Sequence, residues 1–115
     1  MIQEGQVVLF NFPETDQTSK KLRPALVIRK LAGVFDDWLI CMISSQLSQE
    51  IPDFDEVINK EDDDFPKSGL KMPSLVRIGR LAVVERKTLQ GMIGKISERR
   101  LVLIKNRLSE WIKST

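Results

Sequence analysis

Histidine and tyrosine are missing from this 115-residue chain, and cysteine occurs once. Without histidine there is no imidazole to ligate a metal, and no side chain that ordinarily exchanges a proton near neutral pH. The lone Cys41 lies in the apolar run WLICMI and reads as a packed strand residue of a reducing compartment. Nothing beside it in sequence would lower its thiol pKa, so a reactive cysteine is the minor reading. No apolar stretch approaches the roughly 20 residues that a membrane-spanning helix needs. The opening MIQEGQVVLF lacks the basic start of a signal peptide. A soluble, cytoplasmic protein with no membrane association is expected. Gly-rich phosphate loops, the dinucleotide fingerprint, paired cysteines and a Ser-His-Asp triad are absent as well. The run EDDD lacks the spaced ligands and the glycine of a calcium loop. No cofactor or metal is called for, and arginines, hydroxyls and carboxylates remain as the working groups.

What is present is unevenly distributed. Residues 1–65 carry 6 positive and 13 negative side chains, a balance of −7, whereas residues 66–115 carry 12 and 3, a balance of +9. Such asymmetry suggests a basic face for a polyanion beside an acidic loop, against the simpler reading of solvated surface charge. The length fits one domain over residues 1–115, with a core that needs no staples.

Short strands are expected at Gln6–Phe12, Pro24–Arg29 and Trp38–Ser44, with a turn at Ala32–Asp37 between the last two. Further strands are expected at Phe54–Ile58, Ser74–Ile78, Leu81–Glu85 and Met92–Ile96, the later ones separated by Gly79 and Gly91. The acidic run Glu61–Asp64 reads as a solvated loop or a first helical turn. Leu101, Ile104, Leu108, Trp111 and Ile112 then repeat at helical spacing, with Ser97 placed to cap and Glu98 in the first turn. The order implies a mainly β fold: a small, strongly curved sheet or barrel with a C-terminal helix packed on it.

One stretch asks for a functional explanation. Residues 20–30, KKLRPALVIRK, hold five positive charges and no negative one around an unbroken Ala-Leu-Val-Ile. Pro24 fixes its own φ and restricts Arg23 to an extended backbone, so the arginine is held at the entrance of a strand. The apolar run itself suggests burial on both faces, and hence packing beyond one sheet.

The runs GQVVLFNFPETDQTSKKLRPALVI, MISSQ, GLKMPSLVRIGRLAVVE and IGKIS, in that order before a last helix, resemble the MazF/PemK family of toxin endoribonucleases. The resemblance covers nearly the whole chain, and the RPALVI strand with its spacing from GQVVLF is its most specific part. It implies an SH3-like barrel of the MazF/PemK/CcdB type and a homodimer. It also implies metal-independent, sequence-selective cleavage of single-stranded RNA and a small cognate antitoxin whose tail covers the active groove. Arg23 matches the family's main catalytic arginine, and Ser44 matches a position that is usually threonine. Ser45 follows in place of another small residue, and Arg77 matches a second arginine used by some members. Gln17 stands where certain members place a histidine, and Gly79 where they place an aspartate, so an acid–base pair built from those positions does not operate here. Asp16 and Glu14 share the first loop with Gln17, Lys20 and Lys21, and their location alone recommends the two carboxylates as a base. Two readings compete with the nuclease. One is a non-catalytic RNA- or DNA-binding barrel using Phe12, Phe35, Trp38, Phe54 and Phe65 as stacking platforms. The other is a gyrase-binding toxin like CcdB, which needs a free aromatic near the chain end, whereas Trp111 and Ile112 fit the buried face of the helix.

Overall fold

The computed structural model describes residues 2–13 and 20–114. Six strands form one antiparallel sheet: β1 (Gln6–Pro13), β2 (Lys20–Lys30), β3 (Asp37–Ser44), β4 (Glu56–Ile58), β5 (Ser74–Glu85) and β6 (Met92–Lys95). Their spatial order is β4-β5-β3-β2-β1-β6, so the last strand returns beside the first. A one-turn helix α1 (Phe65–Ser68) precedes β5, and the long helix α2 (Glu98–Lys113) ends the chain. The result is a curled half-barrel with one helix packed on it.

Period-two alternation sends β2 into two separate apolar clusters. Leu26 and Ile28 join Val7, Cys41, Ile43, Ile58, Val76 and Ile78 on the face where α2 lays Leu101, Ile104 and Leu108. Ala25 and Val27 join Val8, Trp38 and Ile40 on the other face. The double burial of Ala25–Ile28 is therefore met inside one chain, and it does not by itself require a second subunit. Most strand expectations hold within a residue or two. The exceptions are β2, which begins four residues early at Lys20, and β5, which is continuous where two strands were expected. Pairing passes from Met42↔Arg77 to Cys41↔Leu81, so residues 78–80 form a bulge rather than a break. Buried Asp55 occupies that irregularity, accepting from the backbone N–H of Ile51 at 2.9 Å and of Ile78 at 3.1 Å.

The two ends of the curl meet through glycine. Gly69, just after α1, has φ 74°, and a Cβ there would fall 2.1 Å from the carbonyl oxygen of Ile93 in β6. A Cβ on Gly94 would fall 2.3 Å from the carbonyl oxygen of Lys67. Only residues without a side chain allow backbone to lie on backbone here. This contact covers part of the β6 edge and fixes one wall of the cleft described next.

Helix α2 begins as expected: Ser97 Oγ accepts from the Arg100 N–H at 3.2 Å, and Glu98 occupies the first turn. Its end does not follow expectation. Leu108 is buried, but Trp111 is 53% and Ile112 65% exposed. The Trp111 ring lies against Phe54, at 5.8 Å between centroids, and borders a hollow with Arg77 and Gly79 of β5.

Candidate active site

At one end of the curled sheet lies a cleft of about 510 Å³. Leu9, Leu22, Pro24 and Ile43 reach it from β1, β2 and β3, and Gly69, Leu70, Lys71 and Met72 form its opposite wall with Ile93 and Ser74. Lys21, Arg23, Ser44 and Ser45 line the same space. Strand register explains the meeting. Arg23 pairs with Phe10 on one side, and continuing the Ala25↔Met42 pairing by two residues sets Arg23 opposite Ser44 on the other. By alternation both lie on the face of Ala25 and Ile40, at the lip of a cleft floored by the other face. The described lining contains three cations, Lys21, Arg23 and Lys71, and no carboxylate.

Ser44 ends β3, and its Oγ accepts from the backbone N–H of Gln46 at 3.0 Å. That local turn uses the oxygen as an acceptor and leaves the hydroxyl hydrogen to be donated. Arg23 is half-buried and has interactions of its own. Arg77 is not brought into the cleft. It pairs across from Met42, on the same face as Ser44 but one row further, two strands from Arg23 or roughly 10 Å away laterally. There it borders a separate hollow with Phe54, Asp55 and Trp111, and Nη1 donates to Gln49 Oε1 at 3.1 Å. Lys20 is the first residue of β2, beside the cleft residue Lys21. Asp16 and Gln17, with Glu14, lie outside the described residues.

The acidic run is a turn before α1 in which Glu61 and Asp63 are exposed, as expected of a solvated loop, while Asp62 and Asp64 turn inward to helix α2. Arg100, buried in the first half of α2, donates Nε to Asp64 at 2.8 Å, Nη2 to Asp62 at 2.8 Å and Nη1 to Glu56 at 2.8 Å. Asp64 also accepts from the Ser97 N–H at 2.9 Å. Arg107 adds a bond from Nη1 to the Asp55 carbonyl at 2.7 Å. Burial pushes the Asp64 carboxyl up, but the Arg100 guanidinium and the Ser97 N–H outweigh it and bring it down to about 2. Part of the charge asymmetry read in the sequence is thus an internal clasp, with two arginines of the basic half neutralised by the acidic segment. Among the described residues no buried polar side-chain atom lacks a partner, and no group of acidic or thiol side chains is placed to hold a metal ion.

Cys41 is fully buried, and burial pushes its thiol up to about 12, so it is a packing residue. Of the aromatic platforms expected for a stacking surface, the Phe12 side chain lies outside the described residues and the other four do not assemble. Trp38 is buried and its indole N–H donates to Asp36 at 2.8 Å, and Phe54 and Phe65 pack against the core. Phe35 is exposed, at the far end of the β2–β3 hairpin from Arg23. Sequence reasoning missed Lys71, Met72 and Leu22 as cleft residues. The one available signal was the cationic LKMP between Gly69 and the start of β5, which has loop composition and no period.

Solved structures share this fold. A Mycobacterium tuberculosis toxin MazF-mt6 aligns with a TM-score of 0.69 at 12% identity, over 96% of this chain and 98% of its own. An endoribonuclease in complex with its cognate antitoxin, from a mycobacterial species, aligns at 0.71 and 12% identity, over 100% and 98%. MazF of a Deinococcus radiodurans MazE-MazF structure aligns at 0.67 and 18% identity, over 99% and 97%. A search of curated proteins gives no match. No helix among the described residues is long and apolar enough to cross a membrane. The sequence model for the PemK-like, MazF-like toxin of type II toxin–antitoxin systems matches residues 3–112. With half-barrel, terminal helix and sequence in agreement over nearly every residue, this chain belongs to that toxin family.

Proposed function

We propose that the protein is a metal-independent endoribonuclease, the toxin of a type II toxin–antitoxin pair, acting on single-stranded RNA. The observation that carries this reading is the convergence of Lys21, Arg23, Ser44 and Ser45 with Lys71 on one cleft whose described lining has no carboxylate. A site of this kind attracts a phosphodiester and does not repel it.

The ribose 2′-oxygen attacks the adjacent phosphorus, the bond from phosphorus to the 5′-oxygen breaks, and a 2′,3′-cyclic phosphate and a 5′-hydroxyl result. The proton lost from the 2′-hydroxyl is balanced by the one gained by the leaving 5′-oxygen, so no water is consumed. Negative charge grows on the phosphoryl oxygens in the transition state. The Arg23 guanidinium offers a planar fork of charged donors to two such oxygens. Ser44 supplies its hydroxyl hydrogen to the same phosphate or to the nucleophile. Arg23 acts through charge, as a preorganised donor, and not as a proton carrier.

The active species is a homodimer, and a cognate antitoxin blocks the cleft. Exposed Ile51, Trp111 and Ile112 supply apolar surface for a partner copy. A fully active monomer in light scattering at micromolar concentration would remove the dimer from this reading. The test of the nuclease itself is incubation of single-stranded RNA with the protein in EDTA, followed by analysis of the new ends. Cyclic phosphate and 5′-hydroxyl ends are expected; intact RNA, or 5′-phosphate ends, would overturn it. The exposure of Trp111 favours one second reading, a CcdB-like toxin that binds gyrase. Inhibition of supercoiling by a protein that leaves RNA intact would select it.

A further inference from the structure

Two of the carboxylates on Arg100, Asp62 and Asp64, stand at the head of a segment that ends in the cleft. Short local bonds stiffen that segment. The Phe65 N–H donates to the Asp62 carbonyl at 3.0 Å, and the Ser68 N–H to the Asp64 carbonyl at 3.0 Å. Buried Ser68 donates Oγ to the Phe65 carbonyl at 2.6 Å and accepts from the Leu70 N–H at 3.1 Å. Ser74 Oγ donates to the Met72 carbonyl at 2.8 Å. One end of this unit carries Lys71 into the cleft lining, and the other is gripped by the Arg100 side chain and the Ser97 N–H at the start of α2. Arg23 and Ser44 reach the same cleft from β2 and β3, so the two sides of the site are joined only through the fold.

We propose that Arg100 is a positioning residue for RNA cleavage: by gripping Asp62 and Asp64 it sets how α1 and the turn after it are oriented, and so holds Lys71 in place as a contact for the RNA backbone. The inference rests on the endoribonuclease reading of the cleft. Arg100 does not itself line the cleft and acts only through the acidic segment. The close approach of Gly69 to Ile93 sets how near the wall lies to β6, whereas the bonds of Arg100, several and directional, set how the wall is turned. A cation on an unanchored turn gives up part of its attraction for a phosphate in ordering that turn, and an anchored one does not.

The experiment measures kcat and KM for cleavage of a pool of single-stranded oligoribonucleotides across a salt series, in wild type, Asp64→Asn, Lys71→Ala and the double variant. Asp64→Asn keeps the shape of the side chain and removes the charge that Arg100 grips. Leu108→Ala, which thins the core under the far half of α2, is the control for lost stability. Melting curves confirm that each variant is folded at the assay temperature. Asp64→Asn is expected to raise KM about fivefold at unchanged kcat, the pattern of lost binding. The slope of log KM against log salt should fall by up to about 0.7, the share of one single-strand phosphate contact. Lys71→Ala should do the same, and the double variant no more than Lys71→Ala, because both changes remove one contact. Leu108→Ala should keep the wild-type KM and slope. An unaltered KM and slope in Asp64→Asn, additive losses in the double variant, or an equal loss in Leu108→Ala would each overturn the positioning role and leave the nuclease standing. A wild type that cuts nothing would overturn the nuclease reading and the positioning role with it. If Asp64→Asn does not fold, Asp62→Asn takes its place, with the same outcomes read at smaller size.

Discussion

Arg100 is buried among Asp62, Asp64 and Glu56, whereas Arg23 stands half-buried at the lip of a cleft whose described lining holds no carboxylate. The first guanidinium is fixed by a fork of charge-assisted bonds, and Pro24 and the register of β2 set the backbone from which the second extends. The difference is in what surrounds them. A cation that closes its bonds within the chain ties α2 to the acidic segment and has nothing left for a ligand. A cation held where the chain offers other cations and hydroxyls is placed for an anion from outside. Net charge in a sequence half does not distinguish the two; the described surroundings do.

The comparison breaks most visibly on stability. Arg100→Ala leaves three carboxylates around an empty centre, and removing one partner of a buried ionic network costs about 3–5 kcal/mol. Urea unfolding should show a loss of that size, and a loss under 1 kcal/mol would mean that the clasp is ornamental. Arg23→Ala should do the reverse. The protein should stay folded, while RNA cleavage falls by about 10² to 10³, the usual effect of removing one preorganised donor to a transition-state charge. Retained cleavage at an unchanged melting temperature would take Arg23 out of the site.

How much of this was legible beforehand follows from the range of the interactions. Strand periodicity and the Ser97 cap are local, and β1, β2, β3 and α2 were readable for that reason. The continuous β5 was not, because Gly79 looks like a break until Asp55, far away in sequence, binds the bulge. The clasp was missed for the same reason, since nothing in EDDD announces an arginine 36 residues on from Asp64. In the cleft, Arg23 stood out through Pro24, but Lys71 and Met72 arrive through the close approach of Gly69 to Ile93, which only the folded chain makes. Trp111 has the spacing of a core residue, yet it is half-exposed at the rim of a hollow beside Phe54 and Gly79, a placement the helical period does not show.

Acid should loosen one side of the comparison only. The folded Asp64 carboxyl titrates near 2, below its ordinary 3.8. A depressed carboxylate contributes stability above its unfolded pKa and loses it as pH falls through the folded one. The contribution, about 1–2 kcal/mol after allowance for solvent screening, is therefore complete above about pH 4 and is lost between pH 4 and pH 2. Urea midpoints measured across that window should fall, and should fall less in Asp64→Asn; equal slopes would dissociate Asp64 from the effect. On the cleft side, Ser44→Ala should slow cleavage about tenfold, because a neutral donor contributes less than a guanidinium. A loss as large as that of Arg23→Ala would make the hydroxyl, not the charge, the principal group.

The smallest expected effect is that of pH on the reaction itself. A nuclease that uses a pair of histidines gives a bell-shaped profile, because one imidazole must be neutral and the other charged near pH 6.5. This chain has no histidine, and its one thiol is pushed up to about 12. A guanidinium does not titrate in this range, and any carboxylate base of ordinary pKa is already ionised above about pH 5. Between pH 6 and 8 the rate should be flat, or rise with hydroxide as the 2′-hydroxyl loses its proton, and it should show no limb near 6.5. Repeating the measurement with Asp16→Asn examines the remaining base: an unchanged curve leaves charge and hydroxyls as the machinery, and a lowered plateau assigns Asp16 the proton. A bell centred on neutrality would demand a strongly shifted carboxylate in the first loop. In that case the resemblance between the Arg23 cleft and a purely electrostatic site would fail.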